Sequence, residues 1–265
     1  MILALKLVLT PTLIGIATLV GRRFGPSISG WLVGLPLTSG PVSLFLAIEQ
    51  GTAFAASAAA GSLTGVGAAA IFALAYAACA RRLPWPATVL VASAVFLAAA
   101  FALDQLMLAR EPAAPIVVLY LVGVVAALAV TRAIPSPRGP VPETASPPWD
   151  LPARMIVTTG LVLAITGFAP QLGPRLSGLI ATYPIYASVL AVFAHVQHGP
   201  AAATQVVRGL SFGIVAFATF FLSIGSLVDR TGVAPAFAIA IAGALVVQGV
   251  TLTRIRTKAS PSPTA

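Results

Sequence analysis

The residues best placed to bind a ligand surround prolines inside apolar stretches. The first such segment reads GLPLTSGP, where Pro36 and Pro41 enclose Thr38, Ser39 and Gly40. Proline lacks an amide donor and presses against the carbonyl four residues earlier, so a helix bends or opens there. Freed backbone groups and hydroxyls then become available for hydrogen bonds. The segment therefore predicts a substrate-binding site.

A second segment has the same character. It reads ATYPIYAS, with Pro184 among Tyr183, Tyr186 and Ser188. Helix breaks at matching positions of two segments indicate a binding site at mid-membrane depth. The alternative is a packing kink that binds nothing, because proline is frequent in membrane helices. We favour the binding site, since hydroxyl groups cluster at both breaks.

Ionisable side chains are scarce in the apolar stretches. Glu49, Asp104 and His195 are the candidates for carrying a coupling proton, and histidine is suited to titration near neutral pH. The alternative places all three at the membrane surface in contact with water. Lys6 and Arg154 are predicted to be interfacial anchors.

The sequence contains no motif for catalysis or metal binding. Its only cysteine is Cys79, and HExxH, GxSxG and Walker sequences are absent. We therefore expect no metal ion, no cofactor and no enzyme activity. A membrane-embedded enzyme with dispersed catalytic residues is the alternative.

Composition indicates an integral membrane protein with an all-α polytopic fold. Of 265 residues, 58% are hydrophobic and 8% are charged, against about 25% charged in soluble domains. A helix needs about 20 apolar residues to cross a bilayer, and hydrocarbon forces its backbone groups to bond within the segment. Nine transmembrane helices are predicted, at 2–20, 27–48, 53–79, 86–108, 114–132, 152–170, 176–197, 201–227 and 233–253.

The net charge of +9 does not indicate a nucleic-acid partner, because the basic residues divide unequally between two faces. Nine spans place 11 of the 15 Lys and Arg residues on one face. The other face has only Lys6, Arg110, Arg175 and Arg230. The positive-inside tendency makes the richer face cytoplasmic, which puts the amino terminus outside and the carboxyl terminus inside. We expect a bacterial cytoplasmic membrane.

An internal repeat has an offset of 148 residues. GPSISGWLVGLP from Gly25 recurs as GPRLSGLIATYP from Gly173, and 15 of the 50 positions in 25–74 match their counterparts. The offset also aligns Glu49 with Gln197. Two glycine pairs with GxxxG spacing recur in register and predict close helix packing: Gly61 with Gly65, and Gly209 with Gly213.

The span count predicts that the second copy is inverted, because a fifth helix separates two sets of four. We expect repeat 1 over 1–110, the fifth helix with a proline-rich cytoplasmic loop over 111–151, repeat 2 over 152–254, and a tail over 255–265. This arrangement is a five-plus-five architecture lacking its last helix.

Inverted repeats are a recurrent basis of alternating access. We therefore expect a secondary transporter, with the lipid bilayer and a small-molecule or ion substrate as its partners and a homodimer as the assembly to test. A channel and a membrane-embedded enzyme are the alternatives.

Overall fold

The computed structural model describes residues 2–36, 39–108, 115–135, 147–164 and 182–257. All regular secondary structure in these ranges is helical. The helices are α1 (Ile2–Phe24), α2 (Pro26–Leu32), α3 (Ser39–Gln50), α4 (Thr52–Cys79), α5 (Trp85–Leu108), α6 (Ile116–Ala133), α7 (150–164), α8 (Ile185–His198), α9 (Pro200–Thr231) and α10 (Val233–Thr257).

Six helices in the described ranges are long and apolar enough to cross a membrane. The qualifying segments are Leu7–Phe24, Thr52–Cys79, Trp85–Leu103, Ile116–Ala133, Pro200–Thr231 and Val233–Thr253. Helix α8 is also apolar but is shorter than these six. The fold is therefore an all-helical one suited to a multi-pass membrane protein, and the count of nine spans stays a prediction. Parts of the predicted spans 152–170 and 176–197 lie outside the described residues.

Large apolar side chains cover the outer surface of the helices. Leu90, Val125, Ile156 and Val246 are between 63% and 72% exposed. An apolar surface of this kind favours association in water, whereas lipid tails are as apolar as these side chains. The outer surface therefore fits hydrocarbon surroundings.

The core of the molecule is the packing of α4 against α9. Helix α6 packs against both of them, α5 and α3 pack against α4, and α10, α2 and α8 pack against α9. Alanines and glycines dominate the buried part of α4, and they let helix backbones approach closely. Helix α6 therefore lies alongside both long helices.

The crossing of α2 and α9 depends on glycines. A Cβ atom added at Gly213 would meet the carbonyl oxygen of Trp31 and the Cα of Gly34. One added at Gly209 would meet the carbonyl oxygen of Ser27. The close helix contact predicted from the Gly209 and Gly213 spacing is therefore present, whereas a Cβ added at Gly61 meets nothing within 4 Å, so the same prediction is wrong for Gly61.

Helix starts recur at the 148-residue offset. Two pairs of helices begin 148 residues apart: α4 and α9 at 52 and 200, and α5 and α10 at 85 and 233. Gly51 and Gly199 precede the two long helices with φ of +89° and +81°, a conformation that glycine adopts readily. The sharp corner before each long helix therefore has the same local cause.

The predicted span 27–48 is not one continuous helix. α2 ends at Leu32, a turn follows over 33–35, and α3 begins at Ser39. Pro36 has no amide to continue the α2 hydrogen bonding. Pro41 lies in the first turn of α3, where amides lack helical partners in any case. The two prolines thus explain both the end of one helix and the start of the next.

Candidate functional site

A cavity of about 80 Å³ lies where the break between α2 and α3 meets the start of α8. Residues 33–35 and Ser39 line it from the break between α2 and α3, and residues 182–187 line it from the start of α8. The volume suits several water molecules or one small solute. Two long helices complete the lining, α4 with Gly65, Val66 and Ala69, and α9 with Leu210, Ile214 and Phe217.

Four of the predicted substrate-binding residues line this cavity: Ser39, Tyr183, Pro184 and Tyr186. They come from two segments far apart in the chain, and the fold brings them to one place. Whether they bind a substrate stays a prediction.

The other predicted binding residues either do not line the cavity or lie outside the residues that the structure describes. Pro36 follows the turn that ends α2, and its carbonyl accepts a hydrogen bond from the Gly40 amide at 2.8 Å. The Ser188 hydroxyl donates to the Ile185 carbonyl at 2.8 Å, so it is occupied within the first turn of α8. Thr38 and the side chain of Pro41 are outside the described residues.

Tyr183 is held in the cavity wall by α4 and α5. Its hydroxyl shares a 2.7 Å hydrogen bond with the Ser93 hydroxyl. Its ring stands edge-on to Phe96 and Phe72, with centroids 5.2 and 5.7 Å away. These contacts fix the direction in which the phenol faces.

Residues 148 positions apart line the cavity together. Five such pairs line it: Gly34 with Thr182, Leu35 with Tyr183, Ser39 with Ala187, Val66 with Ile214, and Ala69 with Phe217. The cavity is therefore built from corresponding positions of the two similar stretches of sequence.

Of the three coupling candidates, only the side chain of His195 is described. It lies in the last turn of α8, half-buried, with its ring centroid 6.3 Å from that of Tyr76. Its Nδ1 is buried and has no hydrogen-bond partner among the described residues. The side chains of Glu49 and Asp104 are outside the described residues.

A buried ionic cluster centred on Asp150 lies at one end of α7. The Asp150 carboxylate is fully buried and accepts hydrogen bonds from Arg154 Nε at 2.8 Å and Arg22 at 3.0 Å. Gln197 of α8 donates to the same carboxylate. We call Arg22, Asp150, Arg154 and Gln197 the Asp150 cluster. It joins α1, α7 and α8.

The prediction that Arg154 is an interfacial anchor is wrong. Arg154 is only 7% exposed, because its guanidinium pairs with Asp150 and lies 4.8 Å from the centre of the Phe193 ring. A buried cation of this kind needs both a counter-ion and a surface to pack on. Asp150 and Phe193 supply them.

Asp150 stays ionised despite its burial. Burial alone would raise the pKa of this carboxyl, but the hydrogen bond and charge of Arg154, with the hydrogen bonds from Arg22 and Gln197, outweigh it. The pKa of Asp150 therefore lies below its ordinary value. A negative charge at the start of α7 also suits the positive end of that helix.

Sequence reasoning does not single out Arg22, Asp150, Tyr76 or Ser93. One signal bears on the cluster, because the 148-residue offset aligns the polar residues at 154 and 197 with polar residues of the first copy. Asp150 has an apolar counterpart, Ile2, so the offset does not mark it. Tyr76 and Ser93 stand in apolar runs without a pattern of their own.

The fold and the cavity define a class, the multi-pass helical membrane proteins with a small cavity where helices break. No protein-family model, curated protein sequence or solved structure matches the chain.

Proposed function

We propose that this chain is a secondary transporter that moves a small solute or ion across the bacterial cytoplasmic membrane by alternating access. Its two halves are inverted copies, and the substrate binds in the cavity between the breaks. The amino terminus lies outside and the carboxyl terminus in the cytoplasm.

One observation carries the proposal. The cavity is lined by five pairs of residues that are 148 positions apart, as expected of a site on the axis that relates two inverted copies. Such a site is exposed to one face or the other when the copies exchange conformations. A void formed by chance between packed helices would not be expected to have lining residues related by the 148-residue offset.

The helix order supports the same arrangement. The equivalent helices α4 and α9 begin 148 residues apart and pack together, and α6 packs against both. If α6 is the extra crossing between the copies, the second copy starts on the opposite face from the first. That difference makes the copies inverted rather than parallel.

We infer that the Asp150 cluster is a contact between the two copies at one face of the membrane. Arg22 lies in the last turn of α1, Asp150 begins α7, and these two helices correspond under the offset. The excess of basic residues on this face makes it cytoplasmic. The cluster therefore acts as the cytoplasmic gate, formed when the cavity faces outward and broken when it faces inward.

The cavity lining favours a small solute with hydrogen-bonding groups. Ser39, Tyr183 and Tyr186 supply hydroxyls, while Val66, Ile214 and Phe217 supply apolar surface. A few polar groups set in an apolar wall are typical of sites that fix the orientation of a small ligand.

Thermal stability and flux test the proposal in turn. The purified protein is first heated with a panel of sugars, amino acids, organic acids and inorganic ions, because a ligand at 100 times its Kd adds about 2.7 kcal/mol of stability. A stabilising compound is then measured in proteoliposomes. We expect saturable uptake with counterflow.

The alternatives give different results. A channel would conduct without counterflow, and an enzyme would alter the compound without moving it. The double variant Pro36→Ala with Pro184→Ala is expected to lose most of the uptake, because it restores amides at both breaks. Uptake equal to that of the wild type would rule out the broken segments as the site.

A further inference from the structure

Two neighbouring rings, that of Tyr76 on α4 and that of His195 on α8, each carry a buried polar atom without a partner among the described residues. The side chain of Tyr76 is fully buried, and neither its hydroxyl nor Nδ1 of His195 has a hydrogen-bond partner in the described part of the chain. The two rings meet edge-on, with centroids 6.3 Å apart. A buried polar group left unpaired costs about 1 to 3 kcal/mol, so such groups call for an explanation.

The Tyr76–His195 pair is linked to the cavity by ring contacts and lies near the ends of two helices. Tyr183 of the cavity wall touches Phe72, and Phe72 touches Tyr76, with ring centroids 5.7 and 6.0 Å apart. Tyr76 is in the last turn of α4 and His195 is in the last turn of α8. Ring contacts through Phe72 therefore connect the pair to Tyr183 in the cavity wall.

Resting on the proposed transport function, we propose that His195 and Tyr76 form a proton-binding site that couples solute movement to proton movement. The half-buried imidazole takes a proton from water at the helix ends and becomes an imidazolium. Tyr76 accepts a hydrogen bond from Nδ1–H through one bridging water. When the other face opens, the imidazolium returns this proton to water there, so His195 and Tyr76 regain their starting forms.

The helices that pack against α8 carry few charged residues. On α9, the charged residues are Arg208, Asp229 and Arg230, and the described part of α2 has none. On α5 the only one is Asp104, whose side chain lies outside the described residues. The Asp150 cluster holds one carboxylate and two guanidiniums, those of Arg22 and Arg154, so its net charge is +1.

Nuclear magnetic resonance of histidine tests the site without a substrate. The chain has only two histidines, so 15N-labelled histidine in lipid nanodiscs gives two sets of signals, and His198→Gln assigns them. We expect the His195 signals to show both protonation states across the pH range scanned. Tyr76→Phe keeps the ring and removes the hydroxyl, so the pH of half-protonation should fall by about 0.5 to 1 unit at His195 alone.

Two outcomes would overturn the site. One is a His195 that keeps a single protonation state from pH 5 to pH 9. The other is a titration that Tyr76→Phe leaves unchanged, or shifts equally at both histidines.

Coupling is tested in proteoliposomes that enclose a pH-sensitive dye. The same panel of sugars, amino acids, organic acids and inorganic ions is added outside, with protein-free liposomes as the blank. Transport of a coupled compound should change the interior pH in the wild type and in His198→Gln. The change should be lost in His195→Gln and in Tyr76→Phe.

The outcomes separate this proposal from the transport function on which it rests. Counterflow of a compound with no change of interior pH in the wild type would overturn coupling and leave transport standing. Absence of movement of every compound would contradict the transport function itself.

Discussion

Asp150 joins three other polar side chains through one carboxylate. That carboxylate is fully buried and holds Arg22, Arg154 and Gln197 together. In Asp150→Asn, Arg154 stays buried and loses its counter-ion. Removing one partner of a buried ion pair costs about 3 to 5 kcal/mol. We therefore expect a loss of about 3 kcal/mol in the free energy of unfolding, measured in detergent micelles.

Two variants control this experiment. Asp229→Asn removes a carboxylate from an exposed position at the end of α9, so its stability should stay close to that of the wild type. Adding Arg154→Gln to Asp150→Asn removes the stranded cation and should restore part of the loss. If Asp150→Asn were as stable as Asp229→Asn, the Asp150 cluster would not contribute to the free energy of unfolding.

The stabilisation by Asp150 also depends on pH in a defined direction. Because its pKa is lowered in the folded protein, its contribution is present above the ordinary carboxyl pKa of about 3.9 and is lost as acid protonates the folded form. The stability difference between the wild type and Asp150→Asn should therefore start to shrink as the pH falls below about 4 and vanish once the pH lies below the lowered pKa of the folded protein. A difference that does not shrink at all below about pH 4 would show that charge is not its cause.

Individual residues explain why sequence patterns do not predict the cluster. Arg22 and Asp150 are separated by 128 positions, so neither lies in the other's local pattern. A charged residue next to an apolar run looks like a membrane-surface anchor, and Arg154 stands in that setting. The break at Pro36 and the start of α8 after Pro184 are predictable because each proline acts on its own backbone, within a few residues.

The contact between α2 and α9 is the element-scale feature most sensitive to substitution. Gly213→Ala would place a methyl group against the backbone at Trp31 and Gly34. Forcing extra volume into a packed contact costs about 1 to 3 kcal/mol, and backbone atoms have no rotamer with which to yield. We expect a destabilisation of about 2 kcal/mol, measured by unfolding in detergent.

Gly249→Ala is the matched control for that substitution. Gly249 lies within α10, and a Cβ added there meets nothing within 4 Å. Alanine favours a helix over glycine by up to about 1 kcal/mol, so this variant should be as stable as the wild type or more so. Equal effects at both glycines would mean that helix propensity, not the crossing, governs Gly213.

Element boundaries show how far sequence patterns reach. The apolar runs predict where α4, α5, α6, α9 and α10 lie, because hydrophobic length is set by the membrane and needs no tertiary information. The packing of α6 against both long helices does not follow from any pattern, since it depends on contacts between distant segments. The repeated proline segments predict part of the cavity lining.

At the scale of the whole molecule, the two ends of the cavity are expected to open in turn. The test uses Ser39→Cys in the cavity wall with Cys79→Ser, which removes the only native thiol. A membrane-impermeant methanethiosulfonate cation is added to intact cells or to inverted vesicles. The reaction rate of the introduced thiol then reports access from each face.

Breaking the Asp150 cluster should shift that access reciprocally. A contact made in only one of two conformations biases their ratio by its free energy, and about 1.4 kcal/mol changes the ratio tenfold. We expect Asp150→Asn in this background to raise the cytoplasmic reaction rate about tenfold and to lower the outer rate, with Asp229→Asn changing neither. Rates that rise together would indicate a channel or local unfolding. Rates that stay constant would remove the Asp150 cluster from the transport cycle, because an alternating carrier gains access on one face only by losing it on the other.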